Sequence, residues 1–286
     1  MEVKAYKLSS FTQSIDGGNP AGVVLFQGLD EQQMQRLAAR IGFSETAFVE
    51  KSHRADYHLR FFTPTAEVEL CGHATIAAFC LLQQKGMLQE GDYHQETKAG
   101  LLKIRAAGGS VYMEQVLPEY YEVIDKKELM SCLGINEEDF EKELPIQAVS
   151  TGLKDILVPV KNTGILQNLK PDMKGIEEIS KKYNAVGLHV FALLEDADAT
   201  AICRNFAPLY GIPEESATGT SNGALACYLH KYGKVVDKNK EMIFKQGIYM
   251  NKPSVIKAQA STKNNDIDEI WIGGEAVQLE EAVYKI

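Results

Sequence analysis

Runs of alternating hydrophobic period and runs of helical period follow one another along the whole chain. Val3–Leu8 and Gly22–Phe26 read as strands, parted by the turn Asp16-Gly17-Gly18-Asn19-Pro20. Asp30 stands where an N-cap belongs, ahead of Met34, Leu37, Ala38 and Ile41 at the i, i+3, i+4, i+7 spacing of one helix face. Glu45–Glu50 and Tyr57–Phe62 read as strands, and His73–Gln84 as a buried helix rich in Ala and Leu. Leu101–Ala106 and Ser110–Val116 form a predicted hairpin around Gly108-Gly109.

The second half replays this order. Asp155–Val160 is strand-like, and Asp172 caps a predicted helix with Ile176, Ile179 and Tyr183 on one face. Leu188–Leu194 and Ala199–Phe206 are strand-like and lead into a helix over Thr220–His230. The correspondence reaches single residues. Arg60, Phe62 and Pro64 match Arg204, Phe206 and Pro208 at constant offset. After a three-residue length difference in the turn, Cys71, Gly72, Ala77 and Cys80 match Thr218, Gly219, Ala224 and Cys227. The expected fold class is therefore α+β, with two pseudo-repeated lobes, each a mixed β-sheet wrapped around a central Ala-rich helix. The lobes are placed at 1–118 and 119–269, the charged, helix-prone stretch Lys126–Glu143 falling near the start of the second. A cleft between the lobes, with a helix N-terminus from each aimed into it, is the expected place for an anion.

Composition narrows the class. Hydrophobic content of 45% with 24% charged residues is that of a soluble globular protein. A net charge of −9 without a dense Lys/Arg run speaks against a nucleic-acid partner. No stretch approaches the ~18 consecutive apolar residues of a membrane span, and the N-terminal residues lack an apolar signal core. Five cysteines without a CxxC pair fit a reduced, cytoplasmic protein better than a disulfide framework.

The candidate chemistry gathers at the two helix starts. Gly72-His73 and Gly219-Thr220 open the central helices, where unsatisfied backbone N–H groups and the dipole attract anions. One such glycine is an ordinary tight turn; two at equivalent repeat positions point to a small carboxylate-bearing ligand. Glu45, in Ser44-Glu45-Thr46-Ala47-Phe48, begins an otherwise apolar strand; it is either a surface acid or, if buried near a ligand, a proton-transfer group. His73 is a second proton-handling candidate, or a satisfied core histidine. Cys71 lies where the helix field would activate a thiol, or is structural. Its repeat mate Thr218 cannot take a proton from carbon, which disfavours a two-thiol racemase. Among Glu67, Glu69, Glu214 and Glu215 at least two are expected to face solvent, with Glu215 nearest the second helix start. No metal spacing, GxGxxG or GxxxxGK[ST] loop is present, so no cofactor and no metal are expected.

At these residues the chain resembles the PhzF family of phenazine-biosynthesis isomerase-like proteins, which share the diaminopimelate epimerase fold. The resemblance rests on Gly18-Asn19-Pro20-Ala21-Gly22-Val23, Ser44–Phe48, Arg60-Phe61-Phe62-Thr63-Pro64 and Glu69-Leu70-Cys71-Gly72-His73-Ala74-Thr75. It continues through Ala217-Thr218-Gly219-Thr220, Gln246-Gly247, Pro253-Ser254 and Gly273–Val277. It implies a cofactor-free isomerase in which Glu45 moves a proton between carbons of a small carboxylated substrate. It also implies a homodimer, closure of the lobes around the ligand, and return of the C-terminal strand (270–286) to the first lobe. Gly72, His73, Gly219 and Thr220 fall on positions that line the family's substrate site.

Glu215-Ser216 stands where the family often has Asp-Pro, Asn251-Lys252 where Gly-Arg is usual, and Ser9 where an Asp is common. The phenazine-precursor substrate is therefore not carried over. The leading expectation has Glu45 as general acid/base, His73 and Glu215 orienting the substrate, and the helix starts holding its carboxylate. The alternatives are a one-thiol epimerase using Cys71, or a non-catalytic protein that binds small carboxylates.

Overall fold

The computed structural model describes residues 1–195, 198–235, 240–264 and 266–286, and the chain divides into two compact units. The first comprises Met1–Glu114 with Gly273–Ile286, the second Gln115–Ile272.

The first unit runs β1 (Glu2–Ser10), β2 (Asn19–Leu25), α1 (Glu31–Ile41), β3 (Thr46–Glu50), β4 (Tyr57–Phe62), β5 (Glu67–Val68), α2 (Gly72–Gln84), β6 (Gly91–Thr97), β7 (Gly100–Ala107) and β8 (Ser110–Glu114). Its sheet order is the C-terminal strand (Ala276–Lys285), then β1, β2, β3, β4, β6, β7 and β8. The β2–β3 and β4–β6 pairings are parallel, each bridged by a helix; the others are antiparallel. α1 forms as its pattern predicts: Asp30 accepts from Gln33 N at 2.8 Å, Gln33 Oε1 accepts from Asp30 N, and Met34, Leu37, Ala38 and Ile41 are buried. α2 is apolar on nearly every side, buried from Ala74 to Leu82, and packs against β1, β2, β3, β8 and the C-terminal strand.

The second unit contains β9 (Glu119–Val123), α3 (Lys127–Leu133), β10 (Gln147–Ser150), β11 (Lys154–Pro159), α4 (Thr163–Gln167), α5 (Met173–Tyr183), β12 (Leu188–Leu193), β13 (Ala201–Ala207), β14 (Ile212–Glu215), α6 (Gly219–Lys231), β15 (Met242–Gln246), β16 (Ser254–Lys263) and all of β17 (Asp266–Gly274) but its last two residues. β10 to β16 repeat the pairing senses of β1 to β7: antiparallel to β11, parallel to β12, antiparallel to β13, parallel to β15, antiparallel to β16. α6 takes the place of α2, buried from Ser221 to Leu229 against β10, β11 and β16. The repeat is therefore one of topology as well as of sequence. Only the first part of Lys126–Glu143 is α-helical, with a short 3₁₀ turn at Glu137–Asp139.

The acidic turns differ from expectation. Arg60 grips Glu67 through Nε and Nη2 at 2.7 and 2.8 Å, and Arg204 grips Glu214 at 2.9 and 2.8 Å. Each guanidinium also lies over the ring of the phenylalanine two residues on, Phe62 or Phe206, at 5.2 and 5.0 Å. The side chains of Glu67 and Glu214 are thus only 6% and 15% exposed, and Glu69 alone of the four turn acids is exposed. Repeat equivalence had extended to an ion pair, because the bidentate fork holds each turn against its strand.

Removing one partner of such a pair strands a poorly hydrated charge. Arg204→Met is expected to cost about 3 kcal/mol, and adding Glu214→Gln to recover part of that loss. Thermal and urea unfolding of the single and double variants checks the pair.

Candidate functional site at the two helix starts

In the first unit the Asn19-Pro20-Ala21-Gly22 segment sets the frame. An added Cβ on Gly22 would meet Thr46 Oγ1 at 2.6 Å, so the glycine lets β2 and β3 approach closely beside Glu45. Gly22 N donates to the Glu45 carbonyl at 3.1 Å and fixes that residue one position before β3. At the start of α2, Ser10 Oγ donates to the His73 carbonyl at 2.6 Å, and Thr75 Oγ1 donates to the Cys71 carbonyl at 2.8 Å. The side chain of the N-cap residue Cys71 makes no cap hydrogen bond to this helix start.

Three ionisable side chains meet there. His73 Nε2 lies 3.3 Å from Glu45 Oε2, and Cys71 Sγ lies 3.4 Å from His73 Nδ1. Burial pushes the His73 ring below its usual pKa, against the opposing pull of the Glu45 charge and a hydrogen bond to the Pro20 carbonyl. The ring is therefore neutral at pH 7 and adds no positive charge beside Glu45. Glu45 keeps 23% of its side chain exposed, enough to be reached from outside. A carboxylate, a thiol and an imidazole with ligand atoms within 4.8 Å of one another are also the donors that would hold a metal ion such as zinc, were one bound.

The second unit places Glu215 at the end of β14, three residues before Thr218, which precedes α6. Thr218 Oγ1 donates to Glu215 Oε2 at 2.8 Å. Gly219 and Thr220 form the first turn, again without a side-chain cap, and the Thr220 carbonyl accepts from Thr151 Oγ1 at 3.2 Å. The structure thus brings Glu45, Gly72 and His73 together in one unit and Glu215, Gly219 and Thr220 together in the other.

Sequence reasoning missed the polar groups behind the second helix start. Ser221 Oγ donates to Asp155 Oδ2 at 2.7 Å, and Asn205 Nδ2 reaches both Ser221 Oγ and His189 Nδ1, at 3.1 and 3.2 Å. Asp155 and His189 are essentially without exposure. Burial raises the Asp155 carboxyl to about 7; the Glu215 charge adds to the rise, while Ser221 and the Gly187 backbone oppose it. Burial likewise lowers His189 to about 4. The available signal was a serine and an asparagine in the apolar helix Thr220–His230, where no polar residue goes unpartnered without cost.

Two units, each a sheet wrapped around a buried helix, make an α+β repeat with an acid, an imidazole and a thiol gathered at one helix start. The chain matches the family model described as "Phenazine biosynthesis-like protein" over residues 8–282 and belongs to that family. It is 37% identical to the uncharacterized isomerase YfhB of Bacillus subtilis, over 100% of this chain and 99% of that protein. It is 27% identical to trans-2,3-dihydro-3-hydroxyanthranilate isomerase of Pseudomonas chlororaphis, over 94% of this chain and 95% of that one. The crystal structure of a PhzF-family phenazine biosynthesis protein from Bacillus anthracis superposes with a TM-score of 0.90 at 32% identity, covering all of both chains. The protein is an isomerase of the PhzF family. Among the described residues no helix is long and apolar enough to cross a membrane.

The Asp155 environment makes a test of its own. A carboxyl whose folded pKa of about 7 exceeds the unfolded 3.8 binds an extra proton on folding, so its contribution is present at low pH and lost as pH rises through about 7. His189 and His73, both lowered from 6.5, act in the opposite sense below 6.5. Asp155→Asn, which keeps an acceptor for Ser221, should therefore gain on the wild type as pH rises. The difference in melting temperature between the two is expected to grow by more than about 3 °C from pH 5 to pH 8.

Proposed function

We propose that this isomerase moves a proton between two carbons of a small carboxylate, with Glu45 as general acid/base. The observation that carries the reading is the Glu45 carboxylate, partly exposed and 3.3 Å from a neutral imidazole, at the uncapped start of α2. In the forward step a C–H bond of the substrate breaks and the proton passes to a Glu45 oxygen. The electron pair left on carbon shifts along an adjacent double bond. Glu45 then returns the proton to the far carbon, so no oxidant or reductant is consumed. The backbone N–H groups at Gly72 and Gly219, with Thr220, are proposed to hold the substrate carboxylate; helix starts favour that charge. His73 and Glu215 are proposed to orient its polar substituents.

The relative that acts on trans-2,3-dihydro-3-hydroxyanthranilate makes an amino- and hydroxy-substituted carboxylate the first substrate type to try. The expectation that both helix starts serve one substrate, and that of a homodimer, belong to the same proposal. A second reading is favoured by Cys71 Sγ at 3.4 Å from His73: an epimerase with this thiol opposite Glu45.

Deuterium uptake by NMR distinguishes them. The protein is incubated in D₂O with trans-2,3-dihydro-3-hydroxyanthranilate and a panel of small amino, hydroxy and unsaturated carboxylates. Carbon-bound deuterium is expected with the wild type, and Glu45→Gln is expected to lose on the order of 10²-fold or more in rate. Near-wild-type rates in Glu45→Gln remove Glu45 from the mechanism. Cys71→Ser is expected to turn over within a few-fold of wild type; a loss as deep as that of Glu45→Gln would instead select the thiol mechanism.

A further inference from the structure

Gln246 is the last residue of β15 and is fully buried. The chain turns sharply after it: Gly247 has φ +73°, and an added Cβ there would meet the Lys252 carbonyl at 2.2 Å and the Ser216 carbonyl at 2.7 Å. That tight passage sets the Gln246 amide against the segment joining Glu215 to Thr218. Its Nε2 lies 2.8 Å from the Glu215 carbonyl and 3.0 Å from Thr218 Oγ1. Its Oε1 lies 2.8 Å from Asn222 Nδ2 and 3.3 Å from Thr218 N.

The chemistry of the partners orients this amide without appeal to atom labels. The Glu215 carbonyl can only accept, so the NH₂ group must face it. The Thr218 backbone N–H can only donate, so the amide oxygen must face that one. With the NH₂ group donating to Thr218 Oγ1, the hydroxyl's own proton is left for Glu215 Oε2, 2.8 Å away. One direction of donation therefore runs from amide through hydroxyl to carboxylate. The same amide holds the main chain of Glu215 and, through Thr218, its side chain.

We propose that Gln246 and Thr218 are positioning residues that fix the Glu215 carboxylate at the start of α6. This rests on the reading of Glu215 as a substrate-orienting group. Thr218, which occupies the place of Cys71 in the repeat, thus commits its hydroxyl proton to a neighbouring carboxylate and is not itself a proton-transfer group. A hydrogen bond to a charged acceptor is stronger than a neutral one, which suits it to hold a long Glu side chain in a single rotamer.

The test reads Glu215 directly and needs no substrate. The side-chain carboxyl ¹³C resonance of Glu215, assigned by its loss in Glu215→Gln, is recorded at pH 8 in the wild type, Thr218→Val and Thr218→Ser. A resonance displaced in Thr218→Val and returned to its wild-type position in Thr218→Ser supports the relay. A resonance that stays in place in a folded Thr218→Val overturns it. Should Thr218→Val not fold, the wild-type side-chain amide of Gln246 decides. Two separated ¹⁵N-bound proton resonances in slow exchange with water support the relay, and exchange at the rate of a free amide overturns it. Because these measurements do not depend on turnover, a positive relay with no deuterium uptake would fault the isomerase mechanism alone. Deuterium uptake with an unmoved Glu215 resonance would fault only the relay.

Discussion

A helix buried in the middle of a sheet leaves the backbone groups of its first turn to be served from outside the helix, and the rest of this structure depends on that. α2 and α6 are each thirteen residues long and almost wholly enclosed from their second turn onward. Neither start is closed by its own side chain, although Asp30 and Asp172 cap the flanking helices. A cap is worth about 1 kcal/mol, and the N-cap residues of both central helices forgo it. What stands there instead is Cys71 beside His73 and Glu45 in one unit, and Thr218 bonded to Glu215 in the other.

The two starts have diverged around a shared support. Arg60 with Glu67, and Arg204 with Glu214, tie the turn leading into each central helix to the preceding strand in the same way. On that common brace the residue before the helix is a cysteine in one unit and a threonine in the other. The first start meets a neutral imidazole and a carboxylate; the second is backed by a buried web of amides and hydroxyls. Rigidity was retained where geometry matters, and chemistry varied where the brace does not reach.

Much of the fold was legible because its signals are local. Asp30 with Met34, Leu37, Ala38 and Ile41 states a helix within a dozen residues, and Arg60/Arg204 state the repeat. Glu45, His73, Glu215 and the two glycines were legible as candidates because residue type, repeat position and family resemblance converge on them. The rest depends on partners distant in sequence. Asp155 reads as the first residue of an ordinary strand until Ser221 is seen beside it. Gln246 carries no periodic signal; its meaning comes from Glu215, Thr218 and Asn222, which strand pairing delivers to it. The solvated turn acids were misjudged for the same reason: a glutamate and its arginine are neighbours only once the turn has closed.

The pairing of β1 with the C-terminal strand, from Glu2 with Lys285 to Ser10 with Ala276, has a consequence for biosynthesis. The first unit is not complete once residue 114 has been made, since its outer strand is encoded after the second unit. At ~5–20 residues per second the intervening segment takes on the order of ten to thirty seconds to make. Throughout that interval one side of β1 is an unpaired strand edge, a surface that invites pairing with another chain. Until residues 276–285 are made, the edge of β1 that will receive them has no partner strand, and pairing there waits on the last strand of the sequence.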